Sequence, residues 1–101
     1  MGRRLQLQNL LMSILGSNNV YFQPPESVKL NYPCIVYNRK NINQIKADNV
    51  DYIRQVQYTI TLIGSDPESD IIDKLLDIPY CTYDRFFTSN GLNHDVFSLY
   101  Y

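Results

Sequence analysis

The chain of 101 residues has room for one domain and for no separate catalytic or regulatory module. Hydrophobic residues at 45% and charged residues at 19% describe a globular protein rather than a disordered one. A formal net charge of -1 removes the electrostatic pull that most nucleic-acid binders rely on, and no apolar run approaches the ~20 residues of a membrane span.

Arg3 and Arg4 precede an apolar stretch, but Gln6, Gln8 and Asn9 interrupt it and no small-residue cleavage site follows, so a secretory leader is not expected. Residues 5–15 read instead as a helix. Leu7, Leu11 and Ile14 or Leu15 recur at helical spacing, with Leu10 alongside. Gly16 suits the left-handed cap, and Ser17-Asn18-Asn19 continues the turn. The two arginines lie where the helix dipole disfavours positive charge, and are expected in solvent or against an acidic partner.

Val20-Tyr21-Phe22 reads as a short strand, ended by Gln23-Pro24-Pro25. Prolines and polar residues over 24–32 predict an ordered loop, either functional or draped over a neighbour. A second strand is expected over 33–45, with Ile35 and Tyr37 on one face and Cys34 and Val36 on the other. Residues 45–49 then turn the chain into its longest regular stretch, VDYIRQVQYTITLIG, over 50–64. There Val50, Tyr52, Val56, Tyr58, Ile60 and Leu62 share one phase, and Asp51, Gln55, Gln57, Thr59 and Thr61 the other. At roughly 3.3 Å per residue this strand reaches about 50 Å, beyond the usual ~17–20 Å. The two strands are therefore expected to form an antiparallel hairpin whose distal half, 39–53, extends into solvent or onto another subunit.

Ser65-Asp66-Pro67-Glu68 predicts the start of a second helix, with Asp66 as cap, Pro67 in the first helical position and Glu68 and Asp70 complementing the dipole. Ile71, Ile72, Leu75 and Leu76 supply its apolar stripe, and Ile78-Pro79 ends it. The last two strands, 80–88 and 92–101, flank Asn90-Gly91, the strongest hairpin signal in the chain. Nine tyrosines and no tryptophan suit both strands and interfaces, and the closing Tyr100-Tyr101 is expected to be tied into a sheet or a partner. The expected fold is α+β: one antiparallel sheet of four to five strands, two helices packed on one face and a long protruding hairpin.

The search for chemistry returns little. His94 is the only histidine, and Asp95 beside it on a strand points to the opposite face, so the pair does not make a triad arm. Cys34 and Cys81 each follow a proline at a strand start, which would allow them to be sheet neighbours, and read as buried free thiols in a reducing compartment. No metal-ligand spacing and no glycine-rich phosphate loop occurs. No catalytic, metal or cofactor-binding residue is assigned, and neither enzymatic activity nor a cofactor is expected. Tyr80, Tyr83, Phe86 and Phe87 would offer rings for stacking RNA bases, but Phe86 and Phe87 point to opposite faces and the RRM consensus is missing.

Taken together, the N-terminal amphipathic helix, YPCIVY opening the second strand, the long strand ending TLIGSDPES, the short helix IIDKLL and the closing CTYDRFFTSNGLNHDVFSLYY resemble the tail terminator, or tail-to-head joining (tail completion), proteins of long-tailed phages. The likeness is one of placement and runs through nearly the whole chain. It implies a non-enzymatic virion subunit, made in the host cytoplasm, that forms a hexameric ring on the tail tube protein. The ring would end tube polymerisation and present a surface to the head connector or stopper protein. Carried onto this chain, the implied contacts lie in the distal hairpin (Arg39, Lys40, Asn41, Ile42, Gln44, Lys46, Asp48) and on the long strand (Asp51, Arg54, Gln55, Gln57). Arg3, Arg4, Pro24, Pro25 and Tyr101 complete the set. DNA would pass nearby without sequence-specific binding, and no dense charged stripe marks which side faces the channel. The alternative is a small binding or regulatory protein of a phage or prophage, either a sheet-surface protein or an RNA binder.

Overall fold

Runs of alternating Val, Ile, Thr and Tyr favour extended backbone, and two shorter runs with four-residue apolar spacing favour helix. A computed structural model describes residues 3–47, 50–66 and 69–101, and for residue 3 and residues 41–47 and 50–55 the backbone alone. The elements are α1 (Arg3–Leu15), β1 (Val20–Phe22), β2 (Cys34–Ala47), β3 (Val50–Gly64), α2 (Asp70–Leu76), β4 (Cys81–Ser89) and β5 (Leu92–Tyr100). The fold is α+β, with two helices and a five-stranded mixed sheet of order β1-β2-β3-β5-β4.

The sheet is mixed because β1 runs parallel to β2, with Val20, Tyr21 and Phe22 opposite Ile35, Val36 and Tyr37. This corrects the expected all-antiparallel arrangement. A parallel neighbour needs a crossover, and the eleven residues between Phe22 and Cys34 supply it. The Asn31 N–H donates to the Tyr21 hydroxyl at 3.4 Å, which ties the crossover to the Val36 side of the sheet. The other pairings are antiparallel: β2 with β3, β3 with β5, and β4 with β5.

Pleating separates two faces. Ile35 and Tyr37 of β2, Tyr58, Ile60 and Leu62 of β3, and Phe97 and Leu99 of β5 share one face and are buried. Leu7 and Leu11 of α1, Leu75 of α2 and Ile78 belong to the same buried cluster. The Tyr37 hydroxyl donates to Gln8 Oε1 at 2.6 Å, satisfying the polar end of a fully buried ring. The other face of the sheet is only partly wet. Thr59, Thr61 and Gln57 are half-buried there, and Cys34, Ile63 and Val96 are buried.

Helix boundaries follow local chemistry. Gly16 has φ 81° and its N–H donates to Met12 O at 2.8 Å, the left-handed stop that glycine adopts without a Cβ clash. The start of α2 differs from expectation: its cap is Ser69, whose hydroxyl accepts from the Ile71 N–H at 3.2 Å, and not Asp66. Pro67 and Glu68 lie outside the described residues. A serine with extended backbone immediately before the first turn satisfies an amide that a residue three positions earlier does not reach. Ser69→Ala is expected to cost about 1 kcal/mol of unfolding free energy, measured by urea titration; an unchanged midpoint would show the cap to be idle. At the far hairpin Asn90 and Gly91 have φ 54° and 75°, the pair of left-handed residues that matches strand twist in a two-residue turn.

Candidate interaction surface

Two parts of the sheet are organised differently from the core. The first is the outer part of the β2–β3 ribbon. Its ladder runs from Cys34↔Ile63 to Ala47↔Val50, whereas β1 ends opposite Tyr37 and β5 ends opposite Gln57. From Ile42↔Val56 outward, the two strands pair only with each other in the described register. The longest principal extent of the molecule is 51 Å, against 27 and 23 Å for the others. A register shift between Arg39 and Asn41 leaves Lys40 as the extra residue of a bulge, a device that bends a strand and re-aims side chains. Arg39 and Lys40 are both exposed.

The second part is β4, which forms one edge of the sheet and pairs with β5 alone. Thr82 through Asn90 are all exposed. Tyr83 and Phe86 lie opposite Phe97 and Asp95 and so share the core-side face, but remain 43% and 49% exposed. Phe87 lies opposite His94 on the other face, stacked on the imidazole at a centroid distance of 4.6 Å, with the Arg85 guanidinium 5.9 Å from its own ring centre. Asp84 is the extra residue of a further bulge, between Tyr83 and Arg85. At the start of this edge Tyr80 has φ 64° and is 72% exposed.

Beside β4 stands the one buried charged residue among the described residues, Asp95. The Tyr83 hydroxyl donates to its Oδ1 at 2.7 Å. Partial burial, then this hydrogen bond and the carboxylate charge, push the Tyr83 hydroxyl from 10.0 up to about 12. A raised value favours the protonated form in the folded state. The linked stability is therefore intact below pH 10 and is lost as pH rises through 12. Tyr83→Phe removes the titrating group, so its unfolding free energy is expected to fall less steeply between pH 10 and 12 than that of the parent. Parallel slopes in urea titrations across that range would contradict the pairing.

Burial pushes the Cys34 and Cys81 thiols up to about 11, away from the thiolate form needed for nucleophilic attack. The two cysteines are free, and of the two arrangements the sequence allowed they are not sheet neighbours. Cys34 pairs with Ile63 on β2–β3 and Cys81 with Leu99 on β4–β5, on opposite faces. Cys34 is buried as expected, while Cys81 is half-buried. His94 shares a face with Cys34, but Ile63 lies between them, a separation of about 10 Å at the usual strand spacing. His94 Nδ1 is 3.2 Å from Leu92 O. A cleft of about 250 Å³ lined by Pro33, Leu62, Gly64, Ile71, Asn93 and Asp95 contains neither histidine nor cysteine. Among the described residues no group of three or more His, Cys, Asp or Glu side chains is placed to hold a metal, and no helix is long and apolar enough to cross a membrane.

The residues singled out from sequence are scattered. Arg4 is half-buried, its guanidinium 4.7 Å over the Phe22 ring rather than free in solvent. Pro24 is half-buried and Pro25 exposed at the start of the crossover. Gln57 sits between Asn41 and Tyr100 in the sheet, and the Tyr101 N–H donates to Val56 O at 3.0 Å, tying that end of the chain to β3. For Asn41, Ile42, Gln44, Lys46, Asp51, Arg54 and Gln55 the ribbon backbone alone is placed, as it is for Arg3 in α1, and Asp48 lies outside the described residues. The exposed character of β4 is the feature that sequence reasoning missed. Its signal was present in Phe86-Phe87: adjacent strand residues face opposite ways, so one covering layer cannot bury both. The chain matches no protein-family model, and no curated protein or solved structure is significantly similar to it.

Proposed function

We propose that this protein is a structural subunit of a long-tailed phage virion, forming a ring at the head-proximal end of the tail tube. In this reading the ring is a homohexamer that ends polymerisation of the tube protein and joins it to the head connector or stopper protein. It needs no cofactor and catalyses nothing. Both helices cover one face of the sheet, and the outer β2–β3 ribbon protrudes as an arm that grips the neighbouring protomer or the tube. Identical subunits joined head to tail close into a ring, and strand edges associate through backbone hydrogen bonds without special side chains.

The observation that carries this reading is the ladder from Ile42↔Val56 to Ala47↔Val50, which continues where neither β1 nor β5 is paired. A two-stranded ribbon is marginal in water by itself, so a long one is favoured where another chain completes it. Placement of the sequence patterns along nearly the whole chain supports the same family. Electron microscopy of particles assembled without this protein tests the reading: tails of abnormal length, or tails detached from heads, are expected. Normal-length tails joined to heads would overturn it.

The exposed rings of β4 favour a second reading, a sheet-surface binder of single-stranded RNA. Phe86 and Phe87 lie on opposite faces, however, which denies bases a continuous platform. Fluorescence anisotropy with a labelled single-stranded RNA separates the two, since the ring reading expects no binding at physiological salt.

A further inference from the structure

An edge strand exposed along its length is a template for another strand, and soluble proteins usually blunt such edges with charge, bulges or brevity. β4 is nine residues long, and its one bulge, at Asp84, leaves Arg85–Ser89 in unbroken register with β5. Its exposed rings lie on both faces, so a strand added beside it would gain apolar cover above and below as well as backbone hydrogen bonds.

Charge indicates which strand fits. Residues 1–64 hold seven Lys or Arg and three Asp or Glu, whereas residues 65–101 hold two and seven. The β4 edge belongs to the acidic portion, which includes exposed Asp77 and, on the edge itself, Asp84; the exposed Arg85 beside it is turned to the Phe87 face, its guanidinium 5.9 Å from that ring centre. The basic portion includes the β2–β3 ribbon, where Lys40 occupies a bulge beside exposed Arg39. Of the three register shifts in the described sheet, the two at Lys40 and Asp84 thus carry opposite charges, at opposite sides of the strand order. Within one molecule β3 and β5 stand between β2 and β4. Between two copies nothing in the strand order separates them.

We infer that the β4 edge is the acceptor for the β2–β3 ribbon of a second copy of this chain, joined by strand addition and oriented by the Arg39/Lys40 and Asp77/Asp84 charges. This rests on the ring reading only for the existence of contacts between copies. The contact is heterologous, ribbon of one copy to edge of the next, so it propagates until the rotation closes. It also hides the β4 rings in the assembled state and accounts for their exposure in the single subunit.

Sedimentation of the purified full chain over a range of concentrations, at low and at high salt, tests this with two charge-reversed proteins. One carries Arg39→Glu and Lys40→Glu on the ribbon, and the other Asp77→Lys and Asp84→Lys at the edge. All four positions are exposed, and circular dichroism checks that each variant folds. The expected result is parental association that weakens with salt, a loss of about tenfold or more in each variant alone, and recovery when the two variants are mixed. In the mixture every ribbon meets an edge of opposite sign, which a merely destabilised fold would not reproduce. Association unchanged by either reversal, or not recovered on mixing, would overturn the edge assignment while leaving the ring reading to the particle experiment. A parent that stays monomeric at every concentration and salt would overturn it too, and tails of abnormal length or detached from heads would then show that the ring reading had not failed with it.

Discussion

Replacing Phe97 by alanine is expected to lower the unfolding free energy by about 3–5 kcal/mol, read from the urea midpoint. The side chain is fully buried, opposite Ile60 on one side and Tyr83 on the other, and meets the Tyr83 ring edge-on at 5.2 Å. It lies on β5, the strand that joins β4 to the rest of the sheet. Truncation therefore removes apolar burial and leaves a cavity that two flanking strands cannot both close. Domains of this size are stable by only about 5–15 kcal/mol, so the variant is left with a small margin or none. Phe87→Ala provides the contrast: that ring is 41% exposed and rests on His94, and its loss is expected to cost under about 1 kcal/mol. Equal costs for the two substitutions would contradict the placement of Phe97 in the core and Phe87 at the edge.

Shortening the ribbon should separate folding from assembly. Ile42 and Val56 are directly opposite, so replacing residues 43–55 with Asn-Gly joins them by a two-residue turn suited to strand twist. The described buried core stops at Tyr37 on β2 and resumes at Tyr58 on β3, and the excised residues pair only with each other. The shortened protein is therefore expected to unfold at nearly the parental urea midpoint, with a slightly smaller denaturant dependence because less surface is exposed on unfolding. On the proposed ring reading, incorporation into phage tails is expected to be abolished, as scored by electron microscopy and by the protein content of purified particles. A shortened protein that entered tails normally would refute the arm. One that lost several kcal/mol would place part of the core in the excised segment.

The location of the regular elements was legible because each is encoded within a few residues. The alternation over 50–64 has the same bounds as β3, Asn90-Gly91 marks the β4–β5 turn, and Gly16 ends α1. Phase was legible as well: Ile35 and Tyr37, and Tyr58 with Ile60 and Leu62, are buried together, as the period-2 reading groups them. The cap of α2 was misassigned because Asp66 and Ser69 both suit the role by residue type, and only backbone geometry selects between them.

Taken alone, the order of residues determined which segments are helix or strand, which residues of β2 and β3 share the core face, and how acidic and basic residues divide along the chain. Strand order was decided only in three dimensions: β1 lies parallel beside β2, Cys34 and Cys81 fall on opposite faces, and β4 is left at an edge with its rings uncovered. The physical reason is that a strand's periodicity records which face is covered but carries no information about its lateral neighbour. That neighbour is chosen by loop reach and by competition among all strands for the same core, both of which are properties of the whole chain.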